Sequence, residues 1–257
     1  MGKNNKELQI TKDKKKSWKD SWLSILVAVL IAVGLRTFLA EPFSIPSTSM
    51  VPSLLVGDYL YVSKYSYGYS RYSFPFGPPL FKGRILGTKP ESGQVAVFMG
   101  ARDPDVRYIK RVIGTPGDIV EIKKGVVYIN GKEATQKRIE DYVEKTVVGR
   151  HKRVAQYIET LPNGVEHKII REDPTGMVAE DNMGPFHVPE NHYFMLGDNR
   201  NGSGDSRFPS MGYIPYENFV GPAQFIFFSI DSSILDIWKV WEWGDIIRGK
   251  RIFKWIT

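Results

Sequence analysis

Residues 45–50 read Ile-Pro-Ser-Thr-Ser-Met, which sets the hydroxyls of Ser47, Thr48 and Ser49 directly behind Pro46. A serine is a weak nucleophile until a base takes its proton. The four histidines (His151, His167, His187, His192) lie about a hundred residues or more downstream, so no local histidine answers the need. A neutral lysine can serve if its ordinary pKa, about 10.4, is brought down, and burial among apolar side chains does that. The segment RYIKRVIG, residues 107–114, sets Lys110 among Tyr, Ile and Val. Strand alternation puts Tyr108 and Lys110 on one face, Ile109 and Arg111 on the other. Most strand lysines are solvated at an edge, so spacing alone leaves Lys110 open between base and surface charge.

A third stretch, GDNRNGSGDSR at residues 197–207, is dense in small and polar residues. A calcium loop on Asn199, Asn201 and Ser203 fails because no glutamate falls at the twelfth position. A nucleophile elbow needs Gly-x-Ser-x-Gly, whereas Ser203 has glycine on both immediate sides. Asn201-Gly202-Ser203 is a formal glycosylation sequon. Otherwise the stretch reads as a turn-rich loop.

The elements that must position these residues read as β-rich. Short runs of Val, Ile, Tyr and Phe at 58–67, 93–99, 107–114, 118–131, 192–199 and 222–230 are bounded by Gly, Pro, Asp or Asn, which predicts strands. KKGVVYINGK predicts a hairpin pair, with Asn-Gly turning its second edge. No long amphipathic helix separates the strands, which excludes an alternating α/β protein. Residues of about 132–190 are more charged and less periodic, and read as a second, variable lobe inserted in the domain. The loop 69–81 is rich in aromatics and proline. The tail 236–256 mixes tryptophan with Lys and Arg, which suits either an interfacial amphipathic helix or a helix docked on the domain.

The one long apolar run, residues 22–43, is uninterrupted from Trp22 to Leu35 and resumes at Phe38–Ala40. A bilayer core needs about 20 helical residues, so residues 21–40 are expected to form a transmembrane anchor. The basic N-terminus, residues 1–20, then stays cytoplasmic, and residues 41–257 form the extracytoplasmic domain. A cleaved leader is disfavoured because Phe38 is too bulky for a small-x-small site. The 257 residues carry 35 Lys and Arg against 28 Asp and Glu, a net charge of +7. That excess gathers at both ends beside apolar stretches, so a lipid bilayer is the expected partner. The central region lacks the dense basic stripe of a nucleic-acid binder. With no cysteine, disulfides, thiol catalysis and Cys-ligated zinc are excluded.

Taken in order, FSIPSTSMVPSLLVGDYLYVSKYSYG, GQVAVF, YIKRVIGTPGD and GDNRNGSGDSR resemble the bacterial type I signal peptidases, membrane-bound Ser-Lys proteases that remove signal peptides from exported preproteins. The matches span residues 43–207. The resemblance implies a mostly β, antiparallel catalytic domain with a second variable lobe, preceded here by one N-terminal transmembrane helix where some relatives have two. It implies Ser49 as nucleophile and Lys110 as general base. Ser203 would orient Lys110, and Ser47 would join the backbone N–H of Ser49 in the oxyanion hole. Phe43, Ile45 and Tyr108 would line the substrate pockets, with Asp205 and Arg207 as a supporting ion pair. It implies no cofactor and no metal, with signal peptides as substrates. The location it implies is the bacterial cytoplasmic (inner) membrane, single-pass, with the catalytic domain on the periplasmic side. Two rivals are a Ser-Lys protease with one dedicated exported substrate and a non-catalytic anchored binding module.

Overall fold

The structure is a computed structural model describing residues 22–34, 39–74, 77–78, 81–145, 151–231 and 243–256. The basic N-terminus lies outside the described residues, as do parts of the expected anchor, of the 69–81 loop and of the tail.

Residues 22–34 form a helix, α1, whose apolar side chains, Trp22, Leu23, Leu26 and Leu30 among them, are exposed. Among the described residues no helix is long and apolar enough to cross a membrane.

Beyond α1 the protein is built of antiparallel sheets. The largest has the order β1 (Ala40–Ser44), β2 (Asp58–Ser63), β15 (Phe219–Ser229), β3 (Val95–Met99), β4 (Arg107–Gly114), β13 (His192–Leu196) and β14 (Ile214–Pro215). One side of β15 pairs with β2. Its other side pairs first with β3 and then with β16 (Lys254–Trp255). A second sheet has the order β12 (Met183–His187), β5 (Ile119–Lys123), β6 (Val126–Ile129) and β7 (Lys132–Glu133). In the third, β10 (His151–Thr160) pairs with β11 (Glu166–Arg171), β8 (Thr135–Arg138) and β9 (Tyr142–Lys145).

Two tight turns organise the second sheet. Lys124-Gly125 joins β5 to β6 and Asn130-Gly131 joins β6 to β7, and all four residues have positive φ. That is the pattern of type I′ hairpin turns. The 58–67 run divides: β2 ends at Ser63, and Lys64–Tyr67 make one helical turn, α2. In the 69–81 loop Tyr72 is buried in the core. The described part of the tail is no continuous helix. It is one turn, α3 (Trp243–Ile246), a 3-10 turn at Gly249–Arg251, and then β16. Arg251 pairs with the buried Asp58, which pins this end to the domain.

The core beneath the site joins residues far apart in sequence: Ile45, Met50, Leu54, Leu60, Val97, Ile109 and Val220. Burying an aliphatic side chain contributes about 1.5–3 kcal/mol, so this cluster fixes the Ser49 loop against β3 and β4.

Candidate active site

Ser49 sits in the turn between β1 and β2. The neighbouring side chains of Met50 and Leu54 are fully buried, and Leu54 N donates to Met50 O. Ser49 is itself buried at 8% exposure. Its carbonyl accepts from Asn199 N at 3.1 Å, and Asn199 Nδ2 donates to Thr48 O at 3.3 Å. The 197–207 loop is thereby tied to the backbone of the serine loop.

Lys110 comes from β4, opposite Ala96 of β3. Its Nζ lies 2.5 Å from Ser49 Oγ and donates to Ile109 O at 3.1 Å. The residue is only 4% exposed. Burial brings its pKa down to about 8, against the opposing pull of the Asp205 and Asp198 carboxylates. Removing the charged form from water disfavours it by desolvation. At mildly alkaline pH an appreciable fraction of Lys110 is a free amine beside a serine hydroxyl.

Ser47 Oγ is 3.4 Å from Ser49 Oγ, on the exposed side of the loop. Ser203 is buried, but among the described residues its Oγ has no hydrogen-bond partner. The bond to Lys110 that the resemblance implies is therefore not formed here, and the amine bonds Ser49 and its neighbour's carbonyl. Ser203 instead lies against Gly197. A Cβ on Gly197 would come within 2.3 Å of Ser203 Oγ and 2.6 Å of Ser49 O, so only glycine lets the two loops approach this closely.

Asp205 and Arg207 form a bidentate pair at 2.8 and 2.9 Å. Asp205 also accepts from Gly197 N at 3.1 Å, and Arg207 donates onward to Arg200 O. The pair closes the loop on itself.

Of the three expected pocket residues, Phe43 is half-buried against the core and Ile45 is buried within it. Tyr108 is half-buried and stacks on Phe98 with ring centroids 6.1 Å apart. Phe43 on β1 and Tyr108 on β4 belong to strands that are not hydrogen-bonded to each other. A buried Glu41 on β1 nevertheless pairs with Arg107 on β4, which brings the two strands close at these residues. Residues 107–110 of β4 carry no partner on the β13 side, because β13 pairs only from Arg111 onward.

Alternation puts Arg111 on the face opposite Lys110, and sequence reading gave it no role. It is fully buried, grips Asp198 bidentately at 2.8 and 2.7 Å and donates to Gly93 O at 2.6 Å. Burial alone would raise the Asp198 carboxyl; Arg111 overcomes this and holds it below its ordinary range. Asp198 is next to Asn199, so this pair fixes the loop that holds the Ser49 carbonyl. Glu159, Arg200 and His167 form a second buried cluster behind it, with Arg200 bidentate on Glu159 and His167 Nε2 3.1 Å from the carboxylate. The signal for both clusters was the arginine pattern of the 197–207 loop and β4, but the partners are remote in sequence. Among the described residues, no three His, Asp or Glu side chains are grouped to hold a metal ion.

The family model described as signal peptidase, peptidase S26, matches residues 18–228. The chain belongs to the signal peptidase family, peptidase S26. It is a serine endopeptidase and hence a hydrolase. It is 41% identical to signal peptidase I of Rickettsia typhi over 237 residues, covering 87% of this chain and 88% of that one. It is 40% identical to signal peptidase I of Rickettsia canadensis with the same coverage. A crystal structure of a signal peptidase I from Enterococcus faecalis matches at 28% identity, with a TM-score of 0.31, over 52% of this chain and 97% of that one; a score so low adds nothing about the fold. Membership sets aside the non-catalytic binding module.

Proposed function

We propose that this peptidase removes signal peptides from exported preproteins, with Ser49 as nucleophile and Lys110 as general base. The observation that carries this is the 2.5 Å approach of a buried Lys110 Nζ to Ser49 Oγ. Neutral Lys110 accepts the hydroxyl proton as Ser49 Oγ attacks the carbonyl carbon of the scissile bond. The protonated amine then gives that proton to the leaving amine of the mature protein. An acyl-enzyme remains, and Lys110 again takes a proton, now from the water that attacks it. The Ser49 N–H and Ser47 Oγ donate to the oxyanion, with Ser203 orienting the amine once substrate is in place.

The neighbouring edges of β1 and β4 suit an extended peptide. The unpaired edge at residues 107–110 offers backbone partners, and a peptide paired there presents alternate side chains to one face. Phe43, Ile45 and Tyr108 would receive the small residues at the first and third positions before the cut. The catalytic domain, residues 41–257 with its second lobe near 132–190, would face the periplasm. Residues 21–40 would span the cytoplasmic membrane once, with residues 1–20 inside. The exposed apolar side chains of α1 support this anchor.

The test is cleavage of a radiolabelled preprotein in detergent by wild type, Ser49→Ala and Lys110→Ala. Both variants should remain folded and lose at least about 10⁴ in rate. Normal processing by Ser49→Ala would refute the assignment.

A further inference from the structure

Between the large sheet and the third sheet lies a cavity of about 500 Å³ that the chemistry above does not use. Its walls bring Ser53, which follows the nucleophile by four residues, together with Lys168 of β11, Arg251, Lys254 and Trp255 of β16. Three cations therefore converge on one concavity, from β11, from β16 and from the 3-10 turn that precedes β16.

Among the described residues Arg251 has a carboxylate partner, and the two lysines do not. Arg251 pairs with Asp58 and also donates to Ser53 O at 3.0 Å. Among the described residues neither Lys168 nor Lys254 pairs with a carboxylate, while Glu166, on the same wall, accepts from Thr160 at 3.3 Å. Burial lowers the Lys254 pKa, and Arg251 and Lys168 lower it further. Two lysines facing one space without a carboxylate paired to either favour an anion in that space. Beside the opening, Phe253 and Trp255 are 73% and 67% exposed. Large aromatics beside cations suit the headgroup level of a bilayer, where aromatic rings and Lys or Arg both settle.

We infer that this cavity binds the phosphate group of an anionic phospholipid headgroup through Lys168, Lys254 and Arg251, with Trp255 at the glycerol level. The inference rests on the membrane-bound reading proposed above and names the lipid chemistry it involves. A headgroup seated there would touch Pro52 and Ser53, and so bear on the loop that carries Ser49.

The test uses the full chain in a neutral maltoside detergent, titrated calorimetrically with soluble dihexanoylphosphatidylglycerol. Saturable binding is expected, weakened about fivefold by Lys168→Gln and about fivefold by Lys254→Gln. Lys254→Arg should retain it, and a Lys89→Gln control should match wild type. Dihexanoylphosphatidylcholine, whose ammonium offsets the phosphate, should bind at least about fivefold more weakly. Absence of saturable binding, or equal affinity in wild type and the Lys168/Lys254 double variant, overturns the inference. Inorganic phosphate binding as tightly as the lipid overturns the lipid source. The same samples are assayed for preprotein cleavage. Active wild type without lipid binding sinks the cavity assignment alone; inactive wild type sinks the proposed function, while the titration still judges the cavity.

Discussion

Two lysines lie buried within the large sheet and its margin, and their fates differ. Lys64, on α2, is 2% exposed and sits 2.9 Å from Glu41, with its Nζ also donating to Ser73 O at 2.8 Å. Lys110 is 4% exposed and meets a hydroxyl and a carbonyl. Glu41 is held below the ordinary carboxylate range; burial would raise it, but Lys64 and Arg107 overcome this. Equal burial thus yields opposite chemistry. A carboxylate at contact distance draws the amine into an ion pair and makes it a structural clasp. Neutral partners leave the desolvation cost largely uncancelled and suit the amine to the proposed role of proton acceptor.

The widest separation is expected from matched substitutions. Lys110→Met should abolish preprotein cleavage, a loss of at least about 10⁴, and leave the thermal midpoint at pH 7 unchanged or higher. Lys64→Met should leave the folded enzyme active and cost roughly 3 kcal/mol, because Glu41 loses a buried partner. Melting curves and single-turnover cleavage on both proteins decide it. A Lys64→Met protein of wild-type stability and no activity would break the comparison.

The pH profile sharpens it. Only neutral Lys110 accepts the serine proton, so kcat/KM should rise along an acid limb with an apparent pKa near 8. At pH 6 the rate should be roughly one-hundredth of its plateau, and a limb near 10 would count against burial of this amine. The stability effect has a definite sign. The folded pKa lies below the ordinary value, so the unfolded chain binds more protons between about pH 8 and 10.5. The penalty is fully present below about pH 8 and is relieved as pH rises through that window. Lys110→Met should abolish this contribution in chemical denaturation followed across the window.

A smaller effect follows from the close approach at Gly197. Gly197→Ala pushes Ser203 Oγ and Ser49 O apart, and a shift of about 1 Å at a reacting centre costs on the order of 10² in rate. The loss should appear in kcat rather than KM; a protein with unaltered kcat would show that the loops adjust freely. Smallest of all, Ser203→Ala should reduce kcat by about tenfold, the worth of one hydrogen bond in the loaded site. Cleavage unaffected by this change would remove Ser203 from the orientation of Lys110.

The same comparison marks what the sequence made legible. Lys110 stood out because RYIKRVIG is a strand in both readings, and β4 occupies those eight residues. The Asn-Gly turn was legible because few residues tolerate positive φ twice in succession. Lys64 was not, because KYSY continues the apolar-aromatic texture of β2, and its partner Glu41 is brought near only by the β1–β2 register. Arg111 escaped because alternation assigns a strand a wet face, whereas both faces of β4 are covered here. The tail read as either an interfacial amphipathic helix or a helix docked on the domain; its described residues are instead short turns and a strand, with Arg248 and Arg251 bound to Asp58 and to backbone carbonyls.

The order of strands also governs when the enzyme comes into being. Ser49 rides on the β1–β2 hairpin, Lys110 on β3–β4, and among the described residues the strand that hydrogen-bonds both hairpins is β15, residues 219–229. A ribosome therefore finishes most of the chain before the proposed nucleophile and base are joined in one sheet. Through most of its synthesis the chain holds these two hairpins without the strand that joins them into one sheet.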